Sequence, residues 1–205
     1  MPTRSHTFGL LIATLVVAAV ATGCTATSST SSAESPDTSI ALASPPQSTP
    51  AARVAPDYRR LLIEPGDITT GTDTFATRSS ATNPGGSDGV SALFVNQHDT
   101  RAIGDTILIL PDSAAATTTL NTTVSSLGTT VTGGRPQPSP VGTGGTVVSG
   151  TSPDGAKAVT VLLFTESRAV VRLEFDGAPG DPMPPQVVTD VGKQQQIAVR
   201  TGLTG

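Results

Sequence analysis

Apolar and polar positions are sorted unevenly along this chain of 205 residues. An apolar run from Leu10 to Val20 stands at the front, and a stretch dense in Ser, Thr, Pro and Ala follows it to about residue 56. Strand-like and helix-like patterning becomes dense only from Gly89. Gly89–Asn96 (GVSALFVN) and Ile103–Leu110 (IGDTILIL) have the length and apolar content of strands, and Pro111 stops the second. Asp112 then suits a helix N-cap, because its carboxylate can accept from free helical N–H groups. Ala116, Leu120, Val124 and Leu127 recur at helical spacing behind it, with Gly128 placed as a C-cap. Three more strands are predicted over Thr146–Thr151, Ala158–Thr165 and Ala169–Phe175. Pro153-Asp154-Gly155 reads as the turn between the first two, and Glu166-Ser167-Arg168 as a second hairpin.

Two of these patterns say where the sheet is buried. The segment AVTVLLF is apolar at successive positions, as in a strand covered on both faces. In the strand after it, Ala169, Val171, Leu173 and Phe175 face one way while Arg172 and Glu174 face the other. A final helix is predicted from Pro185 to Thr201, with Val187, Val188, Val191 and Ala198 on its apolar face and Gly202 beyond its end. Upstream, Asp57–Ile63 reads as a helical turn or two, and Glu64-Pro65-Gly66-Asp67 as a turn. Residues 69–88 and 133–145 read as loops rich in Gly and small polar residues. The order β-β-α-β-β-β-α predicts an α+β domain over 57–205: a mainly antiparallel sheet of about five strands with two main helices packed on one face. No internal repeat at a fixed period is present.

The front of the chain concerns location. Arg4, the short apolar run and the small residues Ala21-Thr22-Gly23 before Cys24 are the parts of a secretory signal. The run is too short to span a bilayer, which takes roughly 20 apolar residues. The segment resembles the lipobox of bacterial lipoproteins, although Leu is commonest where Ala21 stands. The resemblance implies that residues 1–23 are cut off and that Cys24 carries palmitate-type acyl chains. Cys24 is the single cysteine, so no disulfide forms within one molecule. Each buried methylene of an acyl chain contributes about 0.8 kcal/mol, so two or three chains suffice for an anchor. Residues 24–56 then read as a disordered tether, too poor in apolar side chains to offset the entropy of ordering. As a coil it would span on the order of 30 Å. Its Ser/Thr/Pro content also suits O-glycosylation.

Charge narrows the partners. Removal of residues 1–23 takes away Arg4 alone and leaves 11 basic and 16 acidic residues, a net charge of −5. The largest basic cluster is Arg59-Arg60, and the chain has one Tyr and no Trp. Nucleic acid is excluded as a partner, for want of both a basic footprint and stacking aromatics.

The search for chemistry is negative. His98 lies beside Asp99 in NQHDTR, but adjacent side chains on a strand point to opposite faces, and no G-x-S-x-G elbow accompanies them. The segment reads as a polar turn. Without residues 1–23 the chain keeps one of its two histidines, and that histidine with one lipidated cysteine cannot supply zinc. Asp176, Asp181 and Asp190, with Asp99 and Asp105, lack the loop spacing of a calcium site and read as a solvated acidic rim. Gly142–Gly150 lacks the Gly-Lys-Ser/Thr ending of a phosphate loop and leads into a strand. Arg59-Arg60 reads as a solvated helix face. Ala114, Ala115 and Ala116 leave room beside the sheet or allow close packing. No catalytic residue, metal or cofactor is therefore expected.

The ATGC lipobox, the Ser/Thr/Pro tether and a domain carrying LLIEPGDI, GDTILILPD and GTSPDGAKAVTVLLFTE together resemble the lipoproteins of mycobacterial cell envelopes. The resemblance implies lipid anchoring to the cell membrane on the extracytoplasmic face, with no catalytic residues to carry over. The resulting expectation is a non-enzymatic lipoprotein that binds a hydrophobic small molecule or envelope lipid, as carrier or sensor. An enclosed apolar cavity of several hundred Å³ would suit that task. The alternative is a protein-interaction module assisting another envelope assembly, with a filled core and an exposed apolar surface. A hydrolase is a distant third.

Overall fold

The computed structural model describes residues 56–204 except 69, 70 and 72. The expected secretory segment, Cys24 and the expected tether up to residue 55 lie outside the described residues. β1 (Phe75–Thr82), β2 (Gly89–Asn96) and β3 (Ala102–Ile109) form a meander that leads into helix α1 (Ser113–Ser126). The short β4 (Gln137–Pro138) precedes a second meander of β5 (Thr143–Thr151), β6 (Ala158–Glu166) and β7 (Ala169–Gly177), which leads into α2 (Pro185–Thr204). All pairs are antiparallel, and the strand order is β1-β2-β3-β7-β6-β5-β4. Each half of the sheet is thus a three-strand meander followed by a helix, and the halves join where β3 pairs with β7.

The sheet has seven strands, not five. The first addition, β1, has one buried residue, Phe75, followed by seven exposed ones. An edge strand with so little to bury carries no apolar alternation, so it reads as loop in the sequence. The second, β4, has only two residues.

The two helices do not share a face. Val159, Val161 and Leu163 of β6 pack with Leu120 and Leu127 at α1. Leu162 and Phe164 of the same strand belong to the core that holds Val188, Val191 and Val199 of α2. Successive side chains on a strand point to opposite faces, so α1 and α2 cover opposite sides of the sheet. The doubly apolar β6 requires this, because each of its faces needs its own cover. β6 is buried over its first eight residues.

Local signals account for the element ends. The Asp112 carboxylate accepts from Ala115 N–H at 2.8 Å and caps α1. Four threonine hydroxyls of α1 donate back to carbonyls one turn earlier, which satisfies them without a partner element. Gly128 is not a left-handed cap; α1 ends in a 3₁₀ turn over Leu127–Thr129, closed by Thr130 N–H donating to Leu127 O at 2.9 Å. Gly202 lies inside α2 rather than beyond it. Its missing side chain lets Leu61 lie against the last turn, and the Arg60 guanidinium donates to its carbonyl at 2.9 Å.

The segment before β1 belongs to the α2 face. Tyr58, Leu61, Ile63 and Ile68 are buried in the same core as Val188 and Val191. Gln195 of α2, fully buried, ties this segment down: its Nε2 donates to Leu61 O at 2.6 Å, and its Oε1 accepts from Ile63 N–H at 3.1 Å. The described residues all belong to one compact unit, Ala52–Gly205. Among them, no helix is long and apolar enough to cross a membrane.

Candidate functional site

The residues that carry polar chemistry are dispersed by this fold. His98 sits exposed at the turn between β2 and β3, and Asp99 beside it has a φ of 54°. Asp99 pairs with the exposed Arg78 of β1. Asn96 shapes the turn: its Oδ1 accepts from Thr100 N–H at 2.9 Å and Arg101 N–H at 3.0 Å, and its Nδ2 donates to Thr100 Oγ1 at 3.0 Å. The aspartates of the expected acidic rim go separate ways. Asp181 accepts from Arg101 at 2.7 Å, Asp176 from Lys157 at 2.7 Å, and Asp190 from Gln186 at 2.9 Å. No group of three metal-ligating side chains is present among the described residues.

Asp105 departs most from the solvated rim. It is fully buried on β3, and among the described residues neither carboxylate oxygen has a hydrogen-bond partner. Its cross-strand neighbours are Ala92 of β2 and Leu173 of β7, and Ile103 and Ile107 flank it on its own strand. Burial alone pushes its carboxyl well above the usual carboxylate range. The position is legible in IGDTILI: the aspartate occupies the phase of Ile103, Ile107 and Ile109. The same phase argument places Gln195 between Val191 and Val199 on the buried side of α2.

Arg60 is structural, while the Arg59 side chain is exposed. Arg60 holds Gly202 O and, through Nη1, Asp57 O at 2.9 Å, while Arg59 N–H donates to the Asp57 carboxylate at 3.0 Å. Arg101 was not singled out by the sequence, yet it joins three segments. Its side chain is 17% exposed and faces Asp73 at 3.6 Å, Asp181 at 2.7 Å and the Met183 sulfur at 3.5 Å. The glycine-rich Gly142–Gly150 segment forms most of β5, and Gly142 N–H donates to Gln196 Oε1 at 3.2 Å.

The spaces between sheet and helices are filled. A Cβ at Gly192 of α2 would lie 2.5 Å from Leu162 Cδ2 and 3.2 Å from Val141. One at Gly144 of β5 would lie 2.8 Å from Leu120 Cδ2 of α1. Of the three alanines, Ala116 is buried and serves close packing, Ala115 is part-exposed and Ala114 is exposed. Two open depressions of about 340 and 360 Å³ adjoin at Thr74 and Phe75. The first runs past Arg78, Val95 and Asp99; the second reaches Pro65 and Ile68.

Part of the sheet carries part-exposed apolar residues. α1 packs on β5, β6 and β7. On the same face, the β1–β3 half presents Leu93, Val95, Ala102 and Leu108, all part-exposed, around Gly104. The Arg172–Glu174 ion pair of β7 borders it, followed by Lys157–Asp176.

No family model matches the chain, and no curated protein matches it. The fold is similar to the extracellular domain of PknH from Mycobacterium tuberculosis. The two share 10% sequence identity at a TM-score of 0.51, over 71% of this chain and 94% of that one. At that identity the likeness concerns the fold alone.

Proposed function

We propose that this chain is a lipid-anchored lipoprotein of the extracytoplasmic membrane face, non-enzymatic, whose domain recognises another protein of the cell envelope. The observation that carries the reading is the open half-sheet: Leu93, Val95, Ala102 and Leu108 stand part-exposed around Gly104 on a domain whose helix–sheet interfaces are filled. An apolar surface rimmed by charge suits a protein contact. A carrier of a hydrophobic molecule needs an enclosed apolar volume, and the two depressions are open. The likeness to an extracellular domain supports the extracytoplasmic side of the reading, and the lipobox-like Cys24 supports the anchor.

Two measurements test it. Cys24→Ser should move the protein from the membrane fraction to the soluble fraction; retention in the membrane would refute the acyl anchor. A photo-crosslinking residue placed at Thr106, on the open half-sheet, should give an adduct of one defined protein mass in native envelopes. The same residue at Gln194, exposed on α2, should not. Equal labelling at both positions, or none at either, would refute the docking surface. Native mass spectrometry of the soluble form separates the carrier reading: a reproducible extra mass that extracts into organic solvent would favour it over protein recognition.

A further inference from the structure

Asp105 is a feature that the proposed recognition role does not use: among the described residues, both of its carboxylate oxygens are buried without a hydrogen-bond partner. A carboxyl removed from water without a hydrogen bond is costly in either protonation state, and far more so when ionised. Here the side chain lies on the sheet face covered by α2 and by the segment before β1. Leu173 and Ala92 flank it across the strands, and Ile103 and Ile107 along its own. The covering layer contributes Leu61, Ile63, Ile68, Met183, Val188, Val191, Val199 and the amide of Gln195, which is occupied by Leu61 and Ile63. Among the described residues, Tyr58 and Asp105 are the buried titratable side chains, and Tyr58 belongs to that core. Among the described residues no cation is paired with the carboxylate, and burial raises its pKa.

We propose that Asp105 is a proton-dependent latch between the sheet and the layer that covers it: the layer closes over the neutral carboxyl, and ionisation loosens it. The sign follows from linkage. In the unfolded or opened chain, Asp105 ionises near an ordinary pKa of about 4. In the closed state it keeps its proton to higher pH. Between the two values the closed state holds one more proton, so stability falls as pH rises, by tenfold in the opening constant per pH unit. Below about pH 4 both states are protonated and the effect is flat.

Urea unfolding of the wild-type chain and of Asp105→Asn, measured from pH 4 to pH 9, tests this. Asparagine keeps the size and cannot ionise. The ratio of the two unfolding constants should climb about tenfold per pH unit above pH 4, then level off at the pKa of the closed state. A ratio independent of pH would overturn the proposal, whatever the absolute stability of the variant. The wild-type protein alone supplies a second check. Its Asp105 carboxyl ¹³C resonance should titrate above the ordinary aspartate range, and a titration within or below that range would overturn it as well.

Discussion

Gln195 offers the most direct test of how the segment before β1 is held. It is fully buried, and both ends of its amide are used by backbone groups more than 130 residues earlier, Leu61 O at 2.6 Å and Ile63 N–H at 3.1 Å. Gln195→Met keeps nearly the same volume and removes both bonds. Each buried backbone group left without a partner costs about 1–3 kcal/mol. Methionine returns part of this, since burying it requires no polar desolvation, so a net loss of about 2–4 kcal/mol is expected. For a domain of this size each kcal/mol lowers Tm by about 2–4 °C. Because the two groups belong to one short segment, the loss should appear locally first. Hydrogen exchange at Ile63 N–H should accelerate by at least tenfold, while amides in β6 slow or quicken only as global stability dictates. A variant within 0.5 kcal/mol of the wild type, with Ile63 still protected, would refute the claim that Gln195 holds the segment.

Three further outcomes follow from the same geometry. Gly142→Ala should lose roughly 2–4 kcal/mol in a urea melt, since Gly142 has a φ of +60° and a Cβ there would meet Phe164 and lie 2.8 Å from Thr165 O. Asn96→Ala should cost about 1–2 kcal/mol and speed amide exchange at Thr100 and Arg101, whose N–H groups its side chain accepts. Glu166, held below the usual glutamate range by hydrogen bonds from Arg200 and then Gln196, should stabilise the fold above the ordinary glutamate pKa. That advantage is lost as pH falls through its lowered pKa, so the stability gap between wild type and Glu166→Gln should shrink on acidification; a gap constant with pH would refute it.

Much of the fold could be read from apolar phase. The two hairpins of β5–β7, the Asp112 cap and the buried stripes of both helices lie where residue spacing puts them. The failures have physical causes. β1 buries Phe75 alone, and FATRSSAT owes its strand to backbone pairing with β2, a bond pattern that leaves no trace in side-chain polarity. The placement of α1 and α2 on opposite faces was implicit in AVTVLLF, since a strand apolar on both sides needs two covers. Gly202 looked like a helix stop because glycine usually is; here close approach by Leu61 explains it. Of the candidate site, the charged residues were visible and their isolation was not, because pairs such as Arg101–Asp181 join positions 80 residues apart. Cys24 lies outside the described residues, and its role rests on the lipobox resemblance.

The two unusual surfaces of this sheet meet on one strand. Asp105 points into the closed face, while Gly104 and Thr106 on either side of it belong to the open face. Any partner seated on the open half-sheet therefore touches the immediate backbone neighbours of the buried acid. β3 is also the strand that joins the two meanders, through its pairing with β7. Linkage makes the consequence reciprocal: a partner that binds the closed form more tightly must raise the proton affinity of Asp105 by the same free energy by which protonation strengthens binding. Recognition on one face and titration on the other then become two readings of a single equilibrium. Comparing partner affinity for the wild type and Asp105→Asn across pH would measure the coupling. Parallel affinities at every pH would show that the two faces of β3 act independently.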